Sequence, residues 1–291
     1  MHYRYYWLGL MFKVLNLVIF TAISLGFLSV SRDISVLNQF FVVYASGTVI
    51  LLPWVLLTRA KYLCRPNFKL YFVRAVISVV AMMSWIQALK YMGTNESALI
   101  GYTTPLFTIL LASWFSEERV DYTSLAVAII CFFIIAFALQ TELRLFTLGF
   151  IFAFISSIAW AFYNLICKKQ TRTEHYLTQA FYTFAASTII TSPFVSLAAF
   201  RAFEVDMLKL LFIAFLRVAN LVCIFLSFKF APVSALMPVN YLQLVFMMIG
   251  TYLVMHVAPS VPVMIAGLTI ICINMWLVKS QKAKMRDYNQ E

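Results

Sequence analysis

Long apolar runs follow one another through most of the 291-residue chain. The first, from about residue 9 to residue 30, contains Lys13 as its only charged side chain. A helix of about 20 apolar residues spans the roughly 30 Å hydrocarbon core of a membrane, where backbone N–H and C=O groups must bond within the protein. Continuous runs without strict alternation favour helices over a β-barrel. The chain is therefore predicted to be an all-α integral membrane protein.

Ten such runs predict ten transmembrane helices joined by short connections. They cover residues 9–30, 37–58, 71–90, 96–115, 122–140, 146–166, 177–199, 208–228, 234–255 and 262–279. The composition, 63% hydrophobic and 11% charged, excludes an ordinary soluble domain. The first run is too long for the apolar part of a signal peptide, so we expect it to be retained. The cysteines show no C-x-x-C spacing, so no metal or cofactor is expected.

The basic residues concentrate on one side of the membrane if the N-terminus is placed in the cytoplasm. That side collects Arg4, Lys13, Arg59, Lys61, Arg65, Lys69, Arg74, Arg119, Lys168, Lys169, Arg172, Lys229, Lys279, Lys282, Lys284 and Arg286. The opposite side has Arg32, Lys90, Arg144, Arg201 and Lys209. This positive-inside asymmetry predicts two cytoplasmic termini. It also explains the formal charge of +11 without nucleic-acid binding.

An internal repeat relates the two halves of the chain. Leu-Lys-Tyr at 89–91 and Ser-Ala-Leu at 97–99 recur as Phe-Lys-Phe at 228–230 and Ser-Ala-Leu at 234–236. We therefore predict five helices in residues 1–143 and five in residues 144–291, the second part ending in a short cytoplasmic tail. Because five is odd, the second repeat enters the membrane from the opposite side. Inverted repeats are typical of transporters that open alternately to each side.

Several short motifs resemble one transporter family. The SWxxAL sequence at 84–89 and PLFT at 105–108, together with ten helices in a 5+5 duplication, resemble the EamA-type carriers of the drug/metabolite transporter superfamily. The pieces KK at 168–169 and YLxLV at 241–245 are similar to S-adenosylmethionine uptake carriers of obligate intracellular bacteria. The resemblance implies a multi-pass carrier of the bacterial inner membrane.

Arg217 is the most informative single residue, because it lies near the middle of the predicted eighth helix. A cation at this depth costs about 3 kcal/mol on insertion scales, so it should not face lipid. Asn220 and Ser227 follow on the same helical face. Every Asp and Glu falls at a span end, in a loop or in a tail. Either backbone carbonyls and amides satisfy Arg217, or its counterion arrives with the substrate as a carboxylate or phosphate.

Aromatic and amide side chains in four other spans complete the predicted binding site. Alongside Arg217 and Asn220, the candidates are Trp85, Gln87, Tyr102, Trp160, Asn164, Asn240, Tyr241 and Gln243. Trp160, Tyr163 and Asn164 share a helical face, and Pro238 precedes Asn240 in a span that it is expected to kink. Aromatic rings with amides suit a flat or cationic organic solute. The alternative for each aromatic residue is an interfacial belt or helix packing.

Other intramembrane polar residues have simpler explanations. Asn16 and Gln39 are expected to form interhelical hydrogen bonds. Arg74 lies a few residues inside the third span, so we expect it to extend to the cytoplasmic surface as an anchor. No intramembrane Asp, Glu or His is available for a proton relay, which favours exchange or facilitated diffusion. Glu96, at the mouth of the fourth helix, is the one residue that would change this interpretation.

The sequence therefore predicts a secondary transporter of a small polar organic metabolite, with S-adenosylmethionine uptake implied by the resemblance. Exporters or exchangers of amino acids, nucleotides or drugs would use the same scaffold. An intramembrane enzyme is disfavoured because no HExxH, GxSxG or paired intramembrane carboxylates are present. A receptor would explain neither ten helices nor duplication. The expected partners are a small-molecule solute and the lipid bilayer, with a homodimer as an open alternative.

Overall fold

Nearly all of the described chain is helical, and it contains no strand. A computed structural model describes residues 3–30, 34–57, 68–92, 94–115, 121–139, 147–171, 173–196, 206–256 and 258–288. The helices are α1 (Tyr3–Leu28), α2 (Val36–Leu57), α3 (Phe68–Tyr91), α4 (Thr94–Gly101), α5 (Thr104–Phe115), α6 (Tyr122–Leu139), α7 (Leu148–Thr171), α8 (Tyr176–Thr191), α9 (Met207–Phe230), α10 (Val233–Leu236), α11 (Leu242–Met255) and α12 (Val261–Tyr288). The predicted all-α class is confirmed.

Eight segments of the described chain are long and apolar enough to cross a membrane, and the apolar stretch Ser97–Ala112 is shorter. Large apolar side chains remain on the outside, such as Leu57, Phe137 and Leu208, which are 84%, 81% and 81% exposed. A water-soluble protein would bury these groups, whereas lipid accepts them. The apolar surface therefore fits a multi-pass membrane protein.

Two of the predicted spans are interrupted in their first half. The fourth span divides into α4, which ends at Gly101, and α5, which begins at Thr104 and has Pro105 as its second residue. The ninth divides into α10, a 3-10 turn over Pro238–Tyr241, and α11. Proline has no backbone N–H to continue the ladder of the preceding turn. Both repeats therefore contain a broken helix at the same place in their order.

Packing between the halves is reciprocal. The most extensive contacts join α1 to α9 and α3 to α7, and α2 packs on α8 as α6 packs on α12. In chain order α1, α2, α3 and α6 correspond to α7, α8, α9 and α12. Exchanging the halves therefore turns the α1–α9 pair into α7–α3 and leaves the other two pairs unchanged. The core has an approximate twofold symmetry.

Contacts at the helix ends show that the halves run in opposite directions. Near the start of α1, Gly9 touches Ala231, which follows α9, and near its end Gly26 touches Ile213 at the start of α9. The ammonium of Lys168, close to the end of α7, donates to the backbone carbonyl of Ala231 at 2.8 Å. Thus α1 starts at the end of the molecule where its counterpart α7 finishes. The boundary predicted between residues 143 and 144 lies outside the described residues.

The close approach of α1 to α9 predicts a specific sensitivity at Gly9. A Cβ at this position would lie 2.7 Å from the Cβ of Ala231 and 3.1 Å from its backbone nitrogen. We expect Gly9→Ala to lower the free energy of unfolding by about 1–3 kcal/mol, the usual cost of overpacking. Thermal unfolding of the purified protein in detergent measures this change.

Gly267→Ala in α12 is the matched control. Its Cβ would meet nothing nearer than 3.5 Å, and alanine is the better helix former by up to about 1 kcal/mol. Equal unfolding temperatures for the two variants would contradict the close α1–α9 contact.

Candidate functional site

The interruptions of the two broken spans meet in the interior. The ring of Tyr102, just after α4, is stacked on that of Tyr241 with centroids 6.0 Å apart. The hydroxyl of Tyr241 donates to the backbone carbonyl of Tyr102 at 3.0 Å. Trp85 of α3 lies over Gly101, so close that a Cβ there would be 3.2 Å from its Cζ3. Three of the predicted site residues are therefore neighbours.

A second aromatic pair on α7 borders this region. Trp160 and Tyr163 make an edge-to-face contact with centroids 5.3 Å apart. The hydroxyl of Ser157, one turn before Trp160, donates to the carbonyl of Ile100 at 3.0 Å. This bond holds α7 against α4 immediately before its interruption. Trp160 is therefore presented to the region where the broken helices meet.

Arg217 lies in the middle of α9, ten residues after Met207, and is partly buried. Its helix α9 packs against α7, which carries Trp160 and Tyr163. Within the described ranges Arg217 makes no hydrogen bond or ion pair, and the same holds for the partly buried amides of Gln87 and Asn164. The role of Arg217 in binding the anionic group of a solute stays a prediction.

Three other predicted site residues have partners in the protein. Asn220 donates to the backbone carbonyl of Asn16 at 2.8 Å, and Asn16 donates to the carbonyl of Asn220 at 3.2 Å. Gln243 donates to the hydroxyl of Thr21 at 3.0 Å. Asn240 contacts the thioether sulfur three residues earlier at 3.4 Å. Asn16 thus forms the predicted interhelical bond, while solute binding by these three amides stays a prediction.

Arg74 does not reach the cytoplasmic surface, so the anchor assignment was wrong. Its side chain has no exposed area, because α7 and α8 cover this part of α3. The guanidinium donates to the side chains of Gln170 and Thr183 and, at 3.0 Å, to the backbone carbonyl of Gln179. It also lies 5.7 Å from the ring centroid of Tyr163. Arg74 is therefore held between α3, α7 and α8, beside Tyr163.

One pattern in the sequence does signal the surroundings of Arg74. Gln179, Thr183 and Ser187 recur every four residues in α8, and all three are fully or almost fully buried. A polar stripe of this kind within an apolar span faces protein rather than lipid. It identifies a polar interior but does not say which helix supplies the cation.

One apolar groove has no part in this arrangement. It has a volume of about 280 Å³, lies between α3 and α7, and is lined by Val76, Ile77, Val80, Ile155, Ile158, Ala159 and Phe162. None of the polar candidates borders it. Among the described residues no group of three His, Cys, Asp or Glu side chains is placed to hold a metal ion.

Comparisons with known proteins agree on one family. The sequence profile of the EamA-like transporter family matches residues 7–140 and again residues 147–278, which fits a two-repeat membrane fold. The chain is similar to S-adenosylmethionine uptake transporters of Rickettsia conorii (23% identity, over 82% of this chain and 81% of the relative) and Rickettsia bellii (22% identity, over 82% of each). A riboflavin transporter of Brucella anthropi is 22% identical over 84% of this chain and 88% of its own length.

A solved crystal structure shows the same fold. It aligns with a TM-score of 0.76 over 95% of this chain and 98% of that chain, at 14% sequence identity.

The contact between the broken helices predicts a graded response at Tyr241. Tyr241→Phe keeps the stacked ring and removes the hydrogen bond to Tyr102, so we expect the free energy of unfolding to fall by about 0.5–1.5 kcal/mol. Tyr241→Ala also empties a fully buried volume and should cost about 3–5 kcal/mol. Tyr252→Phe, an exposed tyrosine of α11, is the control and should leave thermal unfolding unchanged. Equal effects at Tyr241 and Tyr252 would contradict this contact.

Proposed function

Because the chain belongs to the EamA-like transporter family, it is a membrane transporter, and we propose that it is a secondary carrier for uptake of S-adenosylmethionine. The two-repeat fold supports alternating access, in which the repeats tilt about a central site. Broken helices near the middle of the membrane are a recurrent feature of such sites. Relatives named as S-adenosylmethionine uptake transporters cover most of the chain.

The observation that carries this proposal is the guanidinium of Arg217, which makes no hydrogen bond or ion pair in the described part of the chain, on a helix that packs against the aromatic pair of α7. A carboxylate accepts two parallel hydrogen bonds from a guanidinium, and this interaction is strong away from water. Tyr163 and Trp160 of α7 offer ring faces and edges to a flat group. S-adenosylmethionine combines a carboxylate, an adenine ring and a sulfonium cation. Arg217 suits the first, and the rings suit the other two by stacking and cation–π attraction.

The remaining candidates extend the binding surface toward the broken helices. Trp85, Tyr102 and Tyr241 form the aromatic group there. The amides of Gln87 and Asn164 make no hydrogen bond in the described part of the protein, so they are available to the polar edge of a base. We assign adenine to this surface and the amino-acid end of the solute to Arg217.

A flat solute without a carboxylate is the second candidate, because a similar protein is named a riboflavin transporter. The aromatic group alone would accept either ring system. Arg217 favours the carboxylate solute, since a cation in the membrane interior needs a counter-charge. An amino acid or nucleotide would meet the same requirement, and export or exchange would use the same site.

The charge distribution supports exchange or facilitated diffusion over proton symport. The Asp and Glu residues within the described ranges, which include Asp121, Glu174 and Asp206, lie at helix ends or in connections. The side chain of Glu96, the possible exception, lies outside the described residues.

We also propose that the protein resides in a bacterial inner membrane with both termini in the cytoplasm, as the positive-inside asymmetry predicts.

Cysteine labelling tests this orientation. Thr173, between α7 and α8, and Ser260, before α12, are exposed and belong to opposite sides in the proposed topology. In a cysteine-free background, a membrane-impermeant maleimide should label the Ser260→Cys variant in intact cells. The Thr173→Cys variant should react only after the membrane is permeabilised. The reverse pattern would refute cytoplasmic termini.

Counterflow in proteoliposomes tests the activity and the role of Arg217. Preloaded unlabelled S-adenosylmethionine should accelerate entry of the labelled compound through the wild-type protein. Arg217→Ala removes a hydrogen bond to a charged group, worth about 1.5–3 kcal/mol, so uptake should fall about 10- to 100-fold. Lys229→Ala, which removes a charge from the exposed end of the same helix, is the control and should transport normally.

The outcomes separate three conclusions. Normal uptake by Arg217→Ala would make Arg217 a structural residue. Counterflow with riboflavin but not with S-adenosylmethionine would select the second candidate. Absence of counterflow across a panel of amino acids, nucleotides and cofactors would refute the carrier mechanism. Correct insertion and unchanged thermal unfolding of the variants are required for each comparison.

A further inference from the structure

Arg74 is a fully buried cation to which the proposed function assigns no role. We propose that Arg74, Gln170 and Gln179 form a second substrate site, which takes the α-amino carboxylate head group of the solute. The site lies at the end of the molecule where α1 and α3 begin. This inference rests on the proposed carrier function and adds a second position along the path of the solute.

The charge of Arg74 is buried among uncharged groups. Arg74 has no exposed area, and in the described part of the chain its hydrogen bonds all go to uncharged groups. Ring faces supply the other contacts, with Tyr71 at 5.0 Å and Phe225 at 5.3 Å from the guanidinium carbon. The neighbouring carboxylate of Glu174 accepts a hydrogen bond from Tyr71. A buried guanidinium held by neutral groups retains its attraction for an anion.

Arg74 and the two glutamines that accept its hydrogen bonds have unpartnered polar atoms. The Nε of Arg74 and the Nε2 of Gln170 are buried donors without an acceptor. The Oε1 of Gln179 is a buried acceptor without a donor. Buried polar groups nearly always have partners, and each exception requires an explanation. Two donors match the oxygens of a carboxylate, and the acceptor matches the adjacent ammonium, so the set fits an α-amino acid.

Arg74 lies between the two repeats. Arg74 and Tyr71 belong to α3 in the first repeat, while their partners Gln170, Thr183 and Glu174 belong to the second. Opening this end of the protein separates α3 from α7 and α8 and removes these bonds. A carboxylate that enters then replaces the neutral acceptors. The site is therefore closed in this structure and forms when the repeats move apart.

The two arginines lie on related helices. Arg217 belongs to α9, which is the counterpart of α3 in the other repeat, and both α3 and α9 pack against α7. A carboxylate that leaves Arg217 thus finds a second cation on another helix that packs against α7. The alternative is that Arg74 only fastens α3 to α7 and α8, and the experiments below distinguish these roles.

The first experiment places a carboxylate beside Arg74. In the Arg217→Gln background, which removes the carboxylate contact at Arg217, Gln170→Glu lets the protein supply the anion, so the affinity for a carboxylate solute should fall at least about tenfold while thermal unfolding stays at the temperature of the parent or rises. Arg74 itself is not substituted, because removing its side chain would leave a cavity lined by polar groups without partners. Binding of S-adenosylmethionine and of its decarboxylated analogue is measured for each protein. The loss should be confined to the carboxylate form.

Gln39→Glu is the matched control. Gln39 of α2 is also almost buried, and its amide donates to the carbonyl of Ile34 at 2.9 Å. In the same background this variant should lose stability and keep the parent's ratio of affinities for the two ligands. An unchanged ratio in Gln170→Glu would overturn the proposal and leave Arg74 as a fastening between helices.

The second experiment needs neither transport nor S-adenosylmethionine. In the Arg217→Gln background, p-hydroxyphenylglyoxal should modify Arg74 slowly, as the site opens, and peptide mass spectrometry should identify the adduct. L-methionine at millimolar concentration should slow the modification at least about threefold, and L-methioninamide should not. No modification of Arg74, or equal protection by both compounds, would overturn the second site. Failure of counterflow with unchanged selective protection would instead refute only the proposed transport activity.

Discussion

Polar groups in this protein have to find their partners inside it, because hydrocarbon offers none. The reciprocal bonds between Asn16 and Asn220 join α1 to α9 across the repeats. At the end of α9, Lys168 donates to the carbonyls of Phe228 and Ala231, which the helix itself leaves unpaired. The same requirement makes every remaining unpartnered group informative. This requirement distinguishes amides that join helices by hydrogen bonds from amides that have no partner among the described residues and are available to a solute.

The fold follows from the sequence because its main signals are local. Apolar runs of membrane-spanning length predict the helices, and their odd number in each repeat predicts the inversion that the helix contacts show. The breaks in the fourth and ninth spans were less visible, although Pro105 and Pro238 are their local cause. Proline is common in membrane helices, so its presence alone does not separate a kink from a full interruption.

The candidate site was predicted only in part. The prediction for each arginine depends on its depth in the span and on which neighbouring helices cover its side chain. Arg217 is in the middle of its span, where a cation must face the protein interior whatever surrounds it. Arg74 is near the start of its span, where the length of an arginine permits an escape to water. Only the packing of α7 and α8 on α3 closes that route. Sequence spacing describes one helix at a time, so it does not show which neighbour covers a side chain.

The two arginines bear on how a carrier of this type avoids trapping its solute. A single buried cation binds an anion strongly, and release then requires that the whole interaction be broken. In the mechanism that we propose, Arg74 and Arg217 lie on equivalent helices of the inverted repeats, and the anion passes from one guanidinium to the other, so neither position needs to be a deep energy minimum. The neutral partners of Arg74 would make this exchange reversible, since a carboxylate in their place would hold the cation more strongly.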